Sequence, residues 1–189
     1  MKKATVEEIR QRFDNDVERF SNLDTGQVST LDAKISLELI TEAAKRLSPD
    51  AENLLDVGCG AGNYTLMMLS KLPRLNCTLV DLSRAMLDRA TERVSAQTTG
   101  QVEALQGDIR TIALPENRFD IILAGAVLHH LRDDADWENT FAKLYRLLKP
   151  NGCLMISDLV TQDHETLTDY MWERYAAYLE GIGGKEYSL

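Results

Sequence analysis

The chain has 189 residues, of which 44% are hydrophobic and 27% are charged, which indicates a globular domain and argues against a disordered chain. Acidic residues outnumber basic residues by 30 to 21, so the net charge is −9 at pH 7. Because proteins that bind nucleic acid usually carry a basic excess, this balance argues against a nucleic-acid partner and favours a small or cationic substrate.

The cysteines and the N-terminus indicate a cellular compartment. Cys59, Cys77 and Cys153 have neither disulfide-type nor zinc-type spacing, so we expect buried thiols in a reducing compartment and no metal site. The first twelve residues carry no apolar secretory segment, and the longest apolar run, residues 121–128, is too short to span a membrane. The sequence therefore predicts a cytoplasmic protein without a membrane segment.

Two amphipathic helices are predicted near the N-terminus. Apolar residues recur at three- and four-residue steps over residues 5–20 and again over residues 30–47. The apolar face predicted for the second helix consists of Ile35, Leu39, Ile40, Ala43 and Leu47.

From residue 53 onward, short apolar runs alternate with amphipathic segments, as is typical of an α/β protein. This alternation implies a parallel sheet with right-handed crossovers, whose ligands bind beyond the carboxyl ends of the strands. Strands are predicted at residues 53–57, 77–81, 101–106, 119–124 and 153–157. Helices are predicted at residues 63–72, 83–95, 136–149 and 163–179. The third of these helices is expected to bury Phe141, Leu144, Tyr145 and Leu148, and glycines from Gly181 onward are expected to end the fourth.

A glycine-rich loop, DVGCGAG at residues 56–62, joins the first strand to the next helix. Glycines let the backbone approach a ligand closely, and the free N–H groups at a helix start can bind a carboxylate or phosphate. The dinucleotide pattern G-x-G-x-x-G is not matched, because position 63 is asparagine. Asp56 would repel a pyrophosphate but suits an ammonium group, which favours S-adenosylmethionine as the ligand.

Two further acids follow predicted strands. Asp81 lies 19 residues after Gly62, where an acid can accept hydrogen bonds from ribose hydroxyls, although a helix-entry role is the alternative. Asp108 could accept from the exocyclic amine of adenine with Ile109 packed on the ring, or it could be a turn aspartate. After the fourth strand, small residues leave room for a ligand before a pair of histidines.

Five segments together resemble the class I S-adenosylmethionine-dependent methyltransferases of the small-molecule type, in order and spacing. They are LLDVGCGAG (54–62), LVDLSRAML (79–87), QGDI (106–109), FDIILAGAVLHHL (119–131) and LYRLLKPNGCLMISD (144–158). The resemblance implies a Rossmann-like, doubly wound, mostly parallel sheet. It also implies an N-terminal helical lid (1–48) that forms one compact unit with the cofactor-binding domain (49–189).

The resemblance also assigns the site. Asp56, Gly58 and Gly60 would surround the methionine end of the cofactor, with Ala124 nearby, and Asp81 would bind its ribose. The full set of expected cofactor contacts is Asp56, Gly58, Cys59, Gly60, Gly62, Asp81, Leu82, Met86, Asp108, Ile109 and Ala124.

The implied activity is methyl transfer from S-adenosylmethionine to an unidentified acceptor, expected to be a small molecule, leaving S-adenosylhomocysteine. His129 and His130 are the candidates for a catalytic base; packing, or a metal site with Asp133 or Asp134, is the alternative. From the lid, Arg12, Phe13, Asp16 and Phe20 could reach the substrate.

Two other functions remain open: a non-catalytic or truncated cofactor-binding module acting through self-association or a partner, and a dinucleotide oxidoreductase. The usual seven-stranded sheet ends in an antiparallel hairpin, but no strand pair is predicted after residue 179. Strands 6 and 7 are therefore expected to be missing. An exposed edge made by the fifth strand predicts self-association, such as a homodimer, or marginal stability.

Overall fold

The computed structural model describes residues 4–22 and 33–183, which form a five-stranded sheet and seven α-helices. The strands are β1 (Asn53–Val57), β2 (Asn76–Asp81), β3 (Val102–Gln106), β4 (Phe119–Gly125) and β5 (Leu148–Ser157). The helices are α1 (Val6–Asp14), α2 (Val17–Ser21), α3 (Ala33–Leu47), α4 (Asn63–Lys71), α5 (Arg84–Ser95), α6 (Asp134–Leu147) and α7 (Glu165–Gly183).

The sheet is parallel throughout, with the strand order β3-β2-β1-β4-β5. The predicted Rossmann-like α/β architecture is confirmed. The chain starts in the middle strand, builds outward to β3, and then crosses to the other side of β1. Ligands of such sheets bind at this switch point, beyond the carboxyl ends of β1 and β4.

Helices cover both faces of the sheet. One apolar cluster joins β1, β2 and β4 to α3, α4 and α5, and a second joins the opposite face to α6. Residues of β1 and β4 are almost all buried, which explains why most residues of these strands are apolar. Ser83 caps α5, since its hydroxyl accepts from the backbone N–H of Met86 at 3.1 Å.

The first predicted helix is broken into α1 and α2. Asn15 ends α1 by donating its backbone N–H to Gln11 O and its side-chain amide to the same oxygen. Asn and Asp side chains compete with helical hydrogen bonds, so Asn15 and Asp16 interrupt an otherwise continuous apolar pattern.

The apolar face predicted for α3 is wrong in its main members. Ile35, Leu39 and Leu47 are 58%, 63% and 64% exposed, whereas Leu37, Thr41 and Ala44 are buried. Thr41 belongs to the buried face because its hydroxyl donates to Leu37 O at 2.8 Å and needs no solvent partner. A pattern search based on apolar residues alone cannot recognise that face. Residues 30–32 lie outside the described residues.

Helix α6 and strand β5 meet earlier than predicted. The helix ends at Leu147, and β5 begins at Leu148 with an irregular register beside β4. That irregularity accommodates Asn151, whose φ is +67°, inside the strand rather than in a turn before it. Leu144 is buried as predicted, whereas Tyr145 is 79% exposed, because Leu147 completes the buried face instead.

The end of the described chain is a long helix. Helix α7 continues through Gly181 to Gly183, contrary to the predicted stop, and a glycine inside an exposed helix costs only about 1 kcal/mol. Four large apolar side chains of α7 are about half exposed: Leu167, Tyr170, Met171 and Trp172. In the described part of the chain β5 is the last strand, so strands 6 and 7 are not found there. Among the described helices, none has the length and apolar character needed to cross a membrane.

Candidate cofactor and acceptor site

A cavity of about 450 Å³ lies at the carboxyl ends of β1, β2 and β4, a volume ordinary for a small-molecule site. Helices α1 and α2, together called the cover below, line it from above with Val6, Ile9, Arg12, Phe13 and Phe20. Most of the site residues predicted from sequence line it: Gly58, Cys59, Gly60, Asp81, Leu82, Met86, Asp108, Ile109, His129 and His130.

The cover is tied to the walls of the cavity by side-chain hydrogen bonds. Ser83 Oγ donates to Asp14 Oδ1 at 2.6 Å, and Asn63 Nδ2 donates to Phe20 O at 2.9 Å. Asp16, which was expected to reach the substrate, instead pairs with Arg19 and does not line the cavity. Helix α3, predicted as part of the lid, packs on α4 and β5.

The glycine loop is shaped by conformations that ordinary residues avoid. Gly58, Gly60 and Gly62 have φ values of +64°, +51° and +84°. A Cβ on Gly58 would lie 2.4 Å from Val127 Cγ2, whereas one on Gly60 would meet nothing within 4 Å. The loop therefore leaves open space at Gly60, which is the space a ligand against the backbone requires. Gly62 does not line the cavity, because it begins α4 and packs against α5.

Asp81 lies between the glycine loop and α5. Its Oδ2 accepts from the Gly60 N–H at 2.8 Å, and its Oδ1 accepts from the Ser83 N–H at 2.9 Å. Burial raises the pKa of Asp81, and these two N–H donors oppose the rise. Each carboxylate oxygen has a further lone pair, so the residue can accept from two ligand hydroxyls while keeping both backbone bonds. This donor set fits a ribose.

Asp56 differs from its expected position. It is 1% exposed, it does not line the cavity, and its Oδ2 accepts from the Thr65 hydroxyl at 2.6 Å. Burial raises the pKa of Asp56 to about 7, against the effect of the Thr65 hydrogen bond. The expected direct contact with an ammonium group is therefore not what this geometry offers. Ala124 is also buried in the sheet, and its neighbours Gly125 and Ala126 line the cavity in its place.

Asp108 holds the turn after β3. Its carboxylate accepts three side-chain bonds from Arg110, the shortest at 2.6 Å, and Arg110 also reaches Asp136 at 2.7 Å. Burial alone would raise the pKa of Asp108, but the hydrogen bonds and charge of Arg110 outweigh it and lower that pKa. Lys143 fixes the same turn by donating to Ile109 O at 2.6 Å. Sequence reasoning missed Arg110, and the contact of Asp108 with an adenine amine stays a prediction.

The opposite end of the cavity holds a histidine–aspartate pair. His129 Nδ1 lies 2.6 Å from Asp158 Oδ1, and the His129 backbone N–H donates to Asp158 Oδ2 at 3.1 Å. Burial alone would raise the pKa of Asp158, but the hydrogen bond and charge of His129 outweigh it and lower that pKa. The same principle that identified Asp81, an acid directly after a parallel strand, would have found Asp158 after β5.

His130 has a different environment. Its ring lies 6.3 Å from that of Phe13, edge to face, and 4.1 Å from that of His129. Asp133, one of the two acids considered in the alternative metal site, caps α6 by accepting from the Asp136 N–H at 2.9 Å. His129 is therefore the histidine whose ring is oriented by a carboxylate, and His130 packs beside the cover.

The profile of a family described as "Methyltransferase domain" matches residues 54–152, which include the glycine loop, Asp81, Asp108 and His129. The chain belongs to the class I S-adenosylmethionine-dependent methyltransferase family. The predicted cofactor, S-adenosylmethionine, is the cofactor of this family, and the open space at Gly60 and the free lone pairs of Asp81 fit it.

Curated relatives are similar over most of this chain. Malonyl-[acyl-carrier protein] O-methyltransferase of Priestia megaterium is 28% identical over 149 residues, which are 79% of this chain and 50% of that protein. Demethylmenaquinone methyltransferase of Listeria monocytogenes is 30% identical over 134 residues, which are 70% of this chain and 55% of that protein. The chain thus spans about half the length of the curated relatives it matches.

Solved structures share the fold. The N-methyltransferase NodS of Bradyrhizobium japonicum, in complex with S-adenosylhomocysteine, superposes with a TM-score of 0.63 at 18% identity, covering 91% of this chain and 84% of that one. The [4+2]-cyclase SpnF superposes with a TM-score of 0.64 at 19% identity, covering 87% of this chain and 64% of that one.

Proposed function

We propose that this protein transfers a methyl group from S-adenosylmethionine to a nucleophile on a small-molecule acceptor. The observation that carries the proposal is one cavity whose lining joins the glycine loop and Asp81 to the His129–Asp158 pair. When bound, the cofactor supplies an electrophilic methyl group on a sulfonium; the acceptor's nucleophile takes the methyl, and S-adenosylhomocysteine is left.

The cofactor-binding roles follow from the lining. Gly58 and Gly60 accommodate the methionine end against the backbone, and Asp81 accepts from the ribose hydroxyls. Leu82, Met86 and Ile109 line the same cavity, and Leu82 and Ile109 would pack on the adenine. Asp56 is buried behind the glycine loop and would influence the cofactor electrostatically, without contacting it.

His129 is proposed as the proton acceptor for a hydroxyl substrate. Its Nδ1 is occupied by Asp158, which leaves Nε2 for the acceptor. Asp158 keeps its negative charge, since its pKa is lowered, and it stabilises the imidazolium that forms when Nε2 takes the proton. An amine or thiolate acceptor needs no such base.

Calorimetric titration with S-adenosylhomocysteine, followed by turnover against a panel of acceptors, tests the function. The panel contains hydroxyl, carboxyl, amine and thiol compounds, together with malonyl-[acyl-carrier protein] and demethylmenaquinone, for which the relatives are named. Failure to bind S-adenosylhomocysteine would refute the proposal. Binding without turnover of any acceptor would favour a non-catalytic cofactor-binding module.

Replacing His129 with Gln tests the base directly. We expect the rate with a hydroxyl acceptor to fall about 10²-fold or more, the range for general-base catalysis, with no change in affinity for S-adenosylhomocysteine. Asp158→Asn should lower the same rate, and amine or thiol acceptors should be spared by both changes. His164→Gln, at the start of α7 and outside the cavity, is the matched control.

A homodimer and a cytoplasmic location are proposed as well. In the described chain β5 pairs with β4 along one side, and Ile156 on this strand is 39% exposed. An edge of this kind favours association between copies. Light scattering that finds a stable monomer would argue against the dimer. Free thiols at Cys59, Cys77 and Cys153 support a reducing compartment.

A further inference from the structure

The charged side chains that line the cavity are not equally neutralised. Asp81 is bonded by backbone N–H groups, Asp108 by Arg110, and Asp158 by His129. Every lining carboxylate in the described chain therefore already has a partner. The guanidinium of Arg110 forms ion pairs with both Asp108 and Asp136.

Two other lining arginines have no carboxylate partner within the described residues, Arg12 and Arg132. Arg132 is partly engaged, because its guanidinium donates to Ala4 O at 2.9 Å and its charge acts on Glu8. Within the described residues, the guanidinium of Arg12 has neither a hydrogen bond to a carbonyl oxygen nor a carboxylate that its charge acts on. It lines the cavity from α1, the helix that also carries Phe13, whose ring centroid lies 6.3 Å from that of His130.

We propose that the acceptor is a small anion and that Arg12 binds its carboxylate or phosphate group. This inference rests on the proposed function. Arg10 on the same helix pairs with Glu7 and Asp14, whereas Arg12 has no carboxylate partner within the described residues. Arg12 is left for a ligand, and guanidinium groups bind carboxylates and phosphates with paired hydrogen bonds.

The proposal reverses the expectation drawn from the whole-chain charge, which favoured a cationic substrate. A net charge reports the average surface, whereas binding depends on the groups that face the ligand. Beyond the glycine loop, the lining includes Arg12 and Arg132, the His129–Asp158 pair, and the aromatic rings of Phe13 and Phe20. An anion with an apolar body matches this lining.

The test measures binding of three probes of similar shape, benzoate, phenyl phosphate and benzamide, to the protein saturated with S-adenosylhomocysteine. Benzoate or phenyl phosphate should bind and neutral benzamide should not, and the tighter of the two acids identifies the anionic group. In Arg12→Gln we expect affinity for that acid to fall about tenfold, corresponding to about 1.4 kcal/mol. Arg74→Gln, which removes an equal charge just before the amino end of β2 and outside the cavity lining, should change nothing.

Affinity for S-adenosylhomocysteine is measured in each variant and separates the two claims. If the unaltered protein does not bind S-adenosylhomocysteine, the proposed function fails first. If it does bind, the proposal on Arg12 is overturned when benzamide binds as well as the acids, when neither acid binds, or when Arg12→Gln binds the acid as tightly as Arg74→Gln.

Discussion

The two ends of the cavity are built differently. At the cofactor end, the ligand would meet the backbone of the glycine loop and Asp81, a buried acid whose oxygens are already fixed by two N–H groups. At the acceptor end, it would meet side chains from α1, from the turn after β4 and from the end of β5, among them Arg12 and the partly exposed His129. The cofactor end is formed by backbone at the strand ends, so its geometry is nearly fixed. The side chains of the acceptor end can be substituted one at a time without disturbing the sheet.

Replacing Asp81 with Asn is the strongest test of the rigid end. We expect the dissociation constant for S-adenosylhomocysteine to rise about 100-fold, because two hydrogen bonds to a charged acceptor are weakened. Calorimetry measures it. Asp88→Asn, an exposed acid on α5 that pairs with Arg84 outside the cavity, is the control. Equal losses in the two variants would mean that Asp81 does not contact the ligand.

A pair of glycine substitutions compares two positions within that same end. Gly58→Ala should lower the free energy of unfolding about 2 kcal/mol more than Gly60→Ala. Both introduce a Cβ at positive φ, but only the first places it against Val127. Chemical denaturation without ligand checks this. In Gly60→Ala we expect the loss in cofactor affinity instead, since its Cβ enters the open space; equal stabilities would contradict the expectation.

Asp56, which does not line the cavity, is expected to change the pH dependence of stability. Its raised pKa, about 7, means that the folded state holds the proton to higher pH than the unfolded state. Stability from the neutral acid is therefore present below the unfolded pKa and is lost as pH rises toward 7. Asp56→Asn cannot titrate, so the Tm of the variant relative to that of the wild type should rise as the pH increases from about 4 to about 8. The raised pKa of Asp81 gives the stability of both proteins a pH dependence of the same sign, and the charge of Asp81 also acts on Asp56.

The same comparison explains what sequence reasoning could recover. The strands, the glycine loop and Asp81 follow from local patterns: buried runs, glycines at a strand end, and an acid at a set spacing. The His129–Asp158 and Arg110–Asp136 pairings do not, since each joins two segments that are distant in the sequence and are brought together by the fold. The buried face of α3 was missed for a different reason, because Thr41 satisfies its own hydroxyl and so enters the core.

Helices α1 and α2 contribute to both ends of the cavity. They supply Arg12 and Phe13 to the acceptor end. Beside the cofactor end, Asp14 accepts a hydrogen bond from Ser83, and Phe20 O accepts one from Asn63. If these two bonds, and those of Arg89 to Ser21 and Arg132 to Ala4, broke and the helices lifted, the acceptor's binding groups would leave together with the wall that encloses the cofactor. Product exchange and dismantling of the acceptor pocket would then be the same event. The lifetime of the closed form would set how often the protein can turn over.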